Sequence, residues 1–518
     1  MSTTSLYNRL KNSKIECKLS NRKTFLPLDV LEAEITKEEI EALLFPKISI
    51  FGLVLIAGFG IPTKIIESAK KVFAILVLIG DPGAAKGLLA EGLNDSHLPL
   101  REGNSLVSSD GTVFHSFASW NELGVDRFLE TQWTVLAPVL ENSGEDVTLD
   151  PRYVLPLKSL RNITHGQYSD VYRGELHPAH QKGIQASGDK IEVAVKEFNI
   201  KSTHEFVQER NNLARIRSLK HPHLIQHYAT FDTGEQYYVI FPWAEGGNLR
   251  DYWMSKDSVD RDADLALWCL RQMLGLTGAL KALHDINFRH GDLKPENILN
   301  FIQADGDLLV VADVGVSRVH QHSTMKRNWP TISTATTPAY EAPEAVIEKD
   351  LARSRRYDIW SLGCIFLEFS IWFLHGVESI NSFSIARVPF QSPDSKYYFY
   401  NLTSQRTAEV HPAVLEAIQE LQDDPRCKGD TALAALLTLI AESLLRIATE
   451  DRDHTNQVQE KLGKIFQRAQ LDPNYRFNQV EPPPSKPAIF QQRERSLAHR
   501  GRPRDSVIME ESPFRVED

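Results

Sequence analysis

The stretch that decides the fold is HGDLKPENIL at residues 290–299, which VADVG follows at 311–315. Asp292 supplies a carboxylate in a short predicted loop, where it can orient an attacking hydroxyl group and accept its proton. Lys294 lies two residues further on, and its ammonium group can stabilise negative charge that moves during a group transfer. The spacing predicts a loop with acid–base chemistry, and the simpler alternative is a charged surface loop.

Two further residues add hard oxygen ligands of the kind that Mg²⁺ prefers, namely Asn297 and Asp313. Gly315 allows the chain to turn sharply after Asp313. A carboxylate, a lysine and two oxygen ligands are typical of a site that transfers a phosphoryl group without a covalent enzyme intermediate. We therefore predict that Asn297 and Asp313 bind the metal ion of such a site.

Residues 290–299 resemble the catalytic loop of eukaryotic protein kinases, and 313–315 resemble the metal-binding triplet that follows that loop. The resemblance implies an enzyme that depends on ATP and Mg²⁺ and uses Asp292 as its base. KPEN after the aspartate resembles the serine/threonine class, in which Lys294 and Thr337 complete the surroundings of the substrate hydroxyl. The strings RHGDLKPENIL and FPWAEGGNL are most similar to kinase-domain proteins of filamentous fungi.

The family also requires a lysine in a strand and a glutamate on the next helix. IEVAVKEF at 191–198 is a predicted buried strand, and it supplies Lys196 for the α- and β-phosphates of ATP. Glu209 is our choice for the glutamate because it shares a helical face with apolar residues. Glu205 is the alternative, since counting back from the following His-Pro pair arrives at Asn212.

The glycine-rich loop departs from the family pattern. When Val171 is aligned with the family's valine, Thr164, Gly166 and Ser169 occupy the three glycine positions. Only Gly166 retains the conformational freedom of glycine, and two side chains crowd the turn that should surround the phosphates. This departure motivates the alternative hypothesis of a pseudokinase that acts as a nucleotide-binding or scaffolding signalling module.

IFPWAEGGNL at 240–249 resembles the segment that binds adenine, with Phe241 at the back of the pocket. The resemblance places adenine against the backbone at Pro242 and Ala244. Pro242 has no N–H group, but its carbonyl still accepts a hydrogen bond. The residues that we assign to cofactor binding are Gly166, Val171, Ala194, Lys196, Phe241, Pro242, Ala244 and Leu299.

Two further strings follow in the order that the family requires. TPAYEAPE at 337–344 resembles the end of the activation segment, and the resemblance pairs Glu344 with Arg452 far along the chain. YDIWSLGC at 357–364 resembles a central buried helix, whose Asp358 would hold the backbone of the catalytic loop by hydrogen bonds.

Gly291 replaces the arginine that in this family commonly binds a phosphorylated activation segment, and Val314 replaces a phenylalanine. We therefore expect activity that does not depend on phosphorylation of residues 316–337.

Strand-like runs precede helical patterns in the main domain, which predicts an α+β class with a β-rich small lobe and an α-rich large lobe. The predicted organisation is a mostly helical accessory region at 1–150, a kinase domain at 154–470 and a disordered tail at 473–518. The tail contains seven prolines and few large apolar residues.

The chain has 518 residues, with 58 Lys+Arg against 68 Asp+Glu, so its formal charge is −10. This balance argues against a nucleic-acid partner, and the four separated cysteines fit a reducing compartment. The N-terminus lacks the apolar core of a signal peptide. We expect an intracellular protein, cytoplasmic in the first instance, with a nuclear location left open.

The uncharged stretch at 48–63 is shorter than a membrane span, and glycines and a proline interrupt it. A buried element is the preferred interpretation, while a membrane segment or an error in the gene model stays open. The leading hypothesis is a serine/threonine protein kinase with a protein substrate, and the sequence does not predict its oligomeric state.

Overall fold

The computed structural model describes residues 5–20, 23–45, 60–102, 106–165, 169–184, 190–198, 211–314, 338–347, 353–388, 398–404, 407–480 and 485–491. The chain divides into two compact units, which we call the β-rich unit and the helical unit. The β-rich unit comprises Met1–Lys201 and His227–Trp243, and the helical unit comprises Ser202–Gln226 and Ala244–Asp518. This division agrees with the predicted α+β class.

A six-stranded sheet organises the β-rich unit. From one edge to the other its strands are Asp146–Thr148, Ala229–Asp232, Tyr237–Pro242, Ile191–Phe198, Ser169–Leu176 and Leu157–His165. The first pair is parallel, and the other neighbouring strands are antiparallel. The strand Asp146–Thr148 comes from the predicted accessory region, so that region contributes an edge to the sheet.

The register of the strand Ile191–Phe198 sorts its side chains between two faces. Lys196 lies opposite Val171 on one neighbouring strand and Val239 on the other. Ala194 lies opposite Phe241. Directly opposed residues and residues two apart share a face of a sheet, so all five of these side chains lie on one face.

The described part of the N-terminal region contains helices and short strand pairs. Its helices are Leu6–Asn12, Leu28–Glu34, Lys37–Leu44, Ile61–Ser68, Lys70–Ile79, Ala85–Ala90 and Glu122–Thr131. The short paired strands around them are Ile15–Cys17 with Lys23–Phe25, Leu106–Val107 with Val113–Phe114, and Leu140–Glu141 with Gln181–Lys182. The Thr36 side chain accepts a hydrogen bond from the Glu39 backbone N–H, as its capping spacing indicates.

This region shares a core with the sheet. Cys17 and Phe25 lie in one buried cluster with Val193 and Val195, on the face opposite Lys196. The contact is apolar on both sides, and burial of such surface is the main stabilising contribution available to it.

His180 adds a polar link between the same segments. It is fully buried, and its Nε2 accepts a hydrogen bond from the Leu28 backbone N–H at 3.1 Å. The proton therefore lies on Nδ1, which donates to the Pro138 carbonyl at 3.1 Å. The N-terminal region is thus bound to the sheet both by packing and by hydrogen bonds.

The helical unit is built around one helix, Tyr357–His375, in which every residue is buried. The others are 211–217, Leu249–Ser255, Ala263–Asp285, Glu344–Ile347, Val377–Ala386, Pro412–Asp423, Ala432–Leu439, Thr455–Leu471 and Pro473–Arg476. Two hairpins accompany them, Ile298–Phe301 with Leu308–Val311 and Tyr400–Ser404 with Thr407–Val410.

Within the described ranges, Tyr357–His375 is the one helix that is long and apolar enough to cross a membrane. Since it lies wholly inside the helical core, its composition is that of a core helix. Of the apolar stretch at 48–63, residues 48–59 lie outside the described residues, and 61–63 begin the helix Ile61–Ser68.

The prediction of a disordered tail from residue 473 is wrong for residues 473–480 and 485–491. Tyr475, Phe477, Ile489 and Phe490 are buried in the core of the helical unit. A few apolar side chains placed between prolines are enough to fix these segments, because each buries a large area. The remainder of the predicted tail, 492–518, lies outside the described residues.

Candidate active site

Asp358 anchors the predicted catalytic loop. Its carboxylate accepts hydrogen bonds from the backbone N–H groups of His290, at 2.9 Å, and Gly291, at 2.8 Å. It also contacts the His284 ring at 2.9 Å. Burial alone would raise the pKa of Asp358, but the hydrogen bond and charge of His284 and the backbone donors outweigh it and lower that pKa. The predicted anchoring role of Asp358 is therefore confirmed.

His290 joins the two strings that carry the predicted chemistry. Its Nδ1 accepts a hydrogen bond from the Asp292 backbone N–H, so its proton lies on Nε2. Nε2 donates to the Ala312 carbonyl at 2.9 Å. The Ala312 N–H in turn donates to the Asn297 carbonyl at 2.9 Å. These bonds place the loop 290–297 directly beside the residue that precedes Asp313.

The structure brings together three of the predicted catalytic side chains. Asn297 donates from its side-chain amide to the Asp292 backbone carbonyl at 2.7 Å and to its Oδ2 at 3.2 Å. Lys294 Nζ lies 3.2 Å from the same Oδ2. The amide nitrogen of Asn297 is thereby directed to Asp292, and Asn297 Oδ1 is the atom of this side chain that suits a metal ion.

Charge in this loop is balanced around Lys294. Burial alone would lower the pKa of its ammonium group, but the carboxylates of Asp292 and Glu296 outweigh burial and raise that pKa. Lys294 is therefore a permanent cation beside the Asp292 carboxylate. The Asp292 side chain is 41% exposed, so it is accessible to a substrate.

Asp313 adopts a left-handed backbone conformation with φ of 57°. Residues other than glycine rarely adopt this conformation, and departures of this kind concentrate at functional sites. Its exposed carboxylate follows the strand Leu308–Val311. Within the described residues no group of three or more His, Cys, Asp or Glu could hold a metal alone. Two protein oxygens fit Mg²⁺ in the manner it commonly adopts, in which substrate phosphates supply further ligands.

The β-rich unit holds the other predicted residues. Lys196 is 8% exposed, and its Nζ lies 5.5 Å from the centre of the Phe198 ring. Val171, Ala194 and Phe241 share its face of the sheet. Pro242 is the last residue of its strand.

Two residues assigned to the nucleotide lie in the helical unit. Ala244 is buried, and its carbonyl accepts a hydrogen bond from the Gly247 N–H. Leu299 forms an isolated bridge with Asn248 and pairs with Val310. The tight turn at Gly247 therefore places the segment after Ala244 beside the strand that carries Leu299.

Several predicted residues lie outside the described residues: Gly166, Glu205, Glu209, Gly315 and Thr337. Their assigned roles stay predictions. Thr164 and Ser169, which replace glycines, are at the ends of two paired strands.

The predicted pair between Glu344 and Arg452 is present and bidentate. The two nitrogen–oxygen distances are 2.7 and 2.8 Å. Arg452 also donates to the carbonyls of Arg446 and Ile447. The pair is buried, so its geometry fixes Glu344 at the start of the helix Glu344–Ile347.

Sequence reasoning missed a charged network beside the catalytic loop, of which Tyr340, Glu368 and Arg387 are buried. Arg250 donates to Glu296 and to the hydroxyl of Tyr340, which donates to Glu368 at 2.6 Å. Arg387 lies 3.6 Å from the other oxygen of Glu368. Burial alone would lower the pKa of Arg250, but Tyr340 and the two glutamates raise it well above its ordinary value.

These five residues come from separate segments, so no local spacing announces them. The one available signal is the glutamate in KPEN, because a charge inside a buried loop requires a partner. The network connects the loop that carries Lys294 and Asn297 with the segment around Tyr340.

Residues 158–409 match the family model described as the protein kinase domain. The serine/threonine-protein kinase Nek1 of Mus musculus is 28% identical over 227 residues, which are 43% of this chain and 18% of that protein. A calcium/calmodulin-dependent protein kinase type 1 of Macrobrachium nipponense is 32% identical over 157 residues, 30% of this chain and 41% of that protein.

A third relative, the serine/threonine-protein kinase PKH3 of Eremothecium gossypii, is 29% identical over 210 residues, 40% of this chain and 27% of that protein. The chain thus spans between 18% and 41% of the length of these relatives. The matched region includes the strand of Lys196, the loop of Asp292 and the helix of Asp358. Residues 158–409 of this chain are therefore similar to the protein kinase domain family.

Proposed function

We propose that the protein is an active serine/threonine protein kinase, which transfers the γ-phosphoryl group of ATP to hydroxyl groups of a protein substrate. The observation that carries this proposal is the joined set of Asp292, Lys294 and Asn297 on a loop that Asp358 anchors. A structural surface loop has no need for a half-buried lysine and an amide that both contact one exposed carboxylate. The three relatives support the same class of activity.

In the proposed reaction Asp292 orients the substrate hydroxyl and accepts its proton, while the hydroxyl oxygen forms a bond to the γ-phosphorus. The bond from that phosphorus to the oxygen bridging to the β-phosphate breaks, and ADP leaves. Lys294 stabilises the charge that develops on the transferred group. Bound Mg²⁺ supplies charge neutralisation at the phosphates, and Asn297 Oδ1 and the Asp313 carboxylate would hold it.

The roles in ATP binding are those that the resemblance to the family implies. Lys196 would contact the α- and β-phosphates, and Glu209 would hold Lys196. The Pro242 carbonyl would accept a hydrogen bond from the adenine amino group, and the Ala244 N–H would donate one. The apolar residues assigned to the adenine and ribose are Val171, Ala194, Phe241 and Leu299, with Gly166 near the phosphates.

The test is phosphate transfer from labelled ATP to a generic protein substrate by the full chain. Asp292→Asn retains an oxygen that can accept the Asn297 hydrogen bond, so we expect it to fold and to lose transfer by at least a hundredfold. Asp305→Asn, in an exposed turn, is the matched control and should retain full activity. Equal activity in the wild type and in Asp292→Asn would contradict the proposal.

The pseudokinase alternative rests on Thr164 and Ser169, and nothing in the described residues favours it over an enzyme. Thermal denaturation with and without ATP and Mg²⁺ separates the two. Stabilisation by the nucleotide together with phosphate transfer supports the enzyme. The absence of both stabilisation and transfer supports a scaffold.

We also propose an intracellular, cytoplasmic protein without a nucleic-acid partner. The four cysteines are buried thiols, which suits a reducing compartment. We also propose that the chain is most similar to kinase-domain proteins of filamentous fungi. A further proposal is that residues 1–150 are an accessory region beside a kinase domain at 154–470. A fluorescent fusion imaged in living cells tests the location, which leaves a nuclear site open, and fluorescence at a membrane would contradict it.

A further inference from the structure

An arginine and a glutamate extend the face of the sheet that carries Lys196. Arg173 lies opposite Ala194, two residues beyond Val171 on the same strand. Glu192 lies two residues before Ala194, so it shares this face. Arg173 Nε donates to Glu192 Oε1 at 3.0 Å, and a terminal nitrogen donates to Oε2 at 2.8 Å. The pair is bidentate, which fixes the plane of the guanidinium group.

The guanidinium group lies over the ring of Trp243. The distance from the central guanidinium carbon of Arg173 to the ring centre is 4.9 Å, within the range of a cation–π interaction. Trp243 is 3% exposed, while the side chains of Arg173 and Glu192 are 30% and 25% exposed. One side of the charged pair therefore faces a buried ring, and the other side is accessible to solvent.

Trp243 directly follows Pro242, and this position makes the contact informative. Pro242 pairs in register with Val193, but it has no N–H group to donate to the sheet. The last residue of this strand is thus held less firmly by the backbone ladder than its neighbours. A clamped side chain on the next residue supplies the missing restraint.

We propose that Arg173 is a positioning residue for the nucleotide. Held by Glu192, it fixes Trp243 and thereby the direction of the Pro242 carbonyl that addresses adenine. This inference rests on the proposed function, since it assumes that Pro242 contacts the adenine ring. Arg173 would thus raise nucleotide affinity at the adenine end of the ligand and leave binding of the phosphates unaffected.

The test compares two probes, adenosine and ATP with Mg²⁺, by calorimetry on the full chain. Arg173→Met removes the charge and retains most of the side-chain length. We expect this variant to lower the affinity for both probes by the same factor, about three- to tenfold, which is the effect expected of one such contact. Lys196→Met should instead weaken ATP and leave adenosine unchanged, because it acts on phosphates.

Kinetics supply a second measurement. Arg173→Met should raise KM for ATP by the same factor, and kcat should change less than twofold. Arg173→Lys should have a KM for ATP between those of the wild type and Arg173→Met, because a lysine retains the charge over the ring and loses the bidentate bond. Glu192→Gln gives an independent variant that weakens the pair without removing the arginine. Arg127→Met, an exposed arginine on the helix Glu122–Thr131, is the control and should change nothing.

Wild-type affinity for adenosine in Arg173→Met or in Glu192→Gln would overturn the inference and leave the proposed function intact. Weakening of ATP without weakening of adenosine would also overturn it, since Arg173 would then act on the phosphates. Failure of the wild type to bind either probe is a distinguishable result, and it would remove the proposed function together with the inference.

Discussion

Arg452 donates two parallel hydrogen bonds to Glu344 inside the helical unit. The Arg452 side chain is 0% exposed and the Glu344 side chain is 4% exposed. Removal of one member of such a pair leaves the other as a buried, uncompensated charge. We expect Arg452→Met to lower the free energy of unfolding by about 3–5 kcal/mol, measured by urea denaturation.

Lys464→Met is the control for that measurement, because Lys464 pairs with Glu460 at the surface, where 71% and 67% of the side chains are exposed. It should cost less than about 0.5 kcal/mol. Similar losses in both variants would show that the buried pair has no special weight.

Gly291 has a φ of 80°, in the region that disfavours side chains. Gly291→Ala should therefore destabilise the protein by about 1–2 kcal/mol. Gly463 lies within the helix Thr455–Leu471, and a Cβ atom there would meet no heavy atom within 4 Å. Gly463→Ala should stabilise by about 1 kcal/mol, since alanine favours a helix. Thermal denaturation of the two variants checks the opposite signs, and a shift of the same sign in both would refute the argument.

Stability should fall as the pH drops from 6.5 towards 4, in part through His180. Burial lowers the pKa of His180 from 6.5 to about 4 in the folded protein. The unfolded chain therefore binds a proton in this window before the folded protein does. The stability that the neutral ring contributes is complete above pH 6.5, and about 3 kcal/mol is lost by pH 4.

His180→Gln removes this titration. Its free energy of unfolding should decline by about 2 kcal/mol less than that of the wild type between pH 7.5 and 5. An identical decline in His180→Gln and wild type would contradict the assignment.

Phe490 anchors the segment that follows the last helix of the unit. It is 1% exposed, and its ring stacks on His375 with centroids 5.0 Å apart. Phe490→Ala should destabilise the helical unit by about 3–5 kcal/mol in urea denaturation. Leu471→Ala, at a side chain that is 86% exposed, should be nearly neutral. A neutral Phe490→Ala would mean that the segment docks without stabilising the unit.

The catalytic loop could be predicted from sequence because its contacts are local. Asp292, Lys294 and Asn297 lie within six residues, and their hydrogen bonds join one another. The more distant Asp358 and Arg452 were found through the order of the motifs. Physical spacing alone does not connect them to the loop.

Long-range partners account for what the sequence did not show. The helical spacing of apolar residues near 64–79 predicts one helix there, but the structure contains two helices that meet at Ala69. The Asp95 carboxylate accepts hydrogen bonds from the N–H groups of Lys71 and Val72, so a side chain more than twenty residues away starts the second helix. The network of Arg250 and Glu296 could not be predicted for the same reason, because its members lie far apart in the sequence.

The parallel pairing of Asp146–Thr148 with Ala229–Asp232 bears on how the kinase domain can be isolated. A fragment that begins at residue 154 would leave a row of backbone donors and acceptors open at that margin, and such margins recruit strands from other molecules. Trimming the protein to its recognisable domain would therefore promote self-association, and a dimer formed by such a fragment but not by the full chain would be a product of the cut.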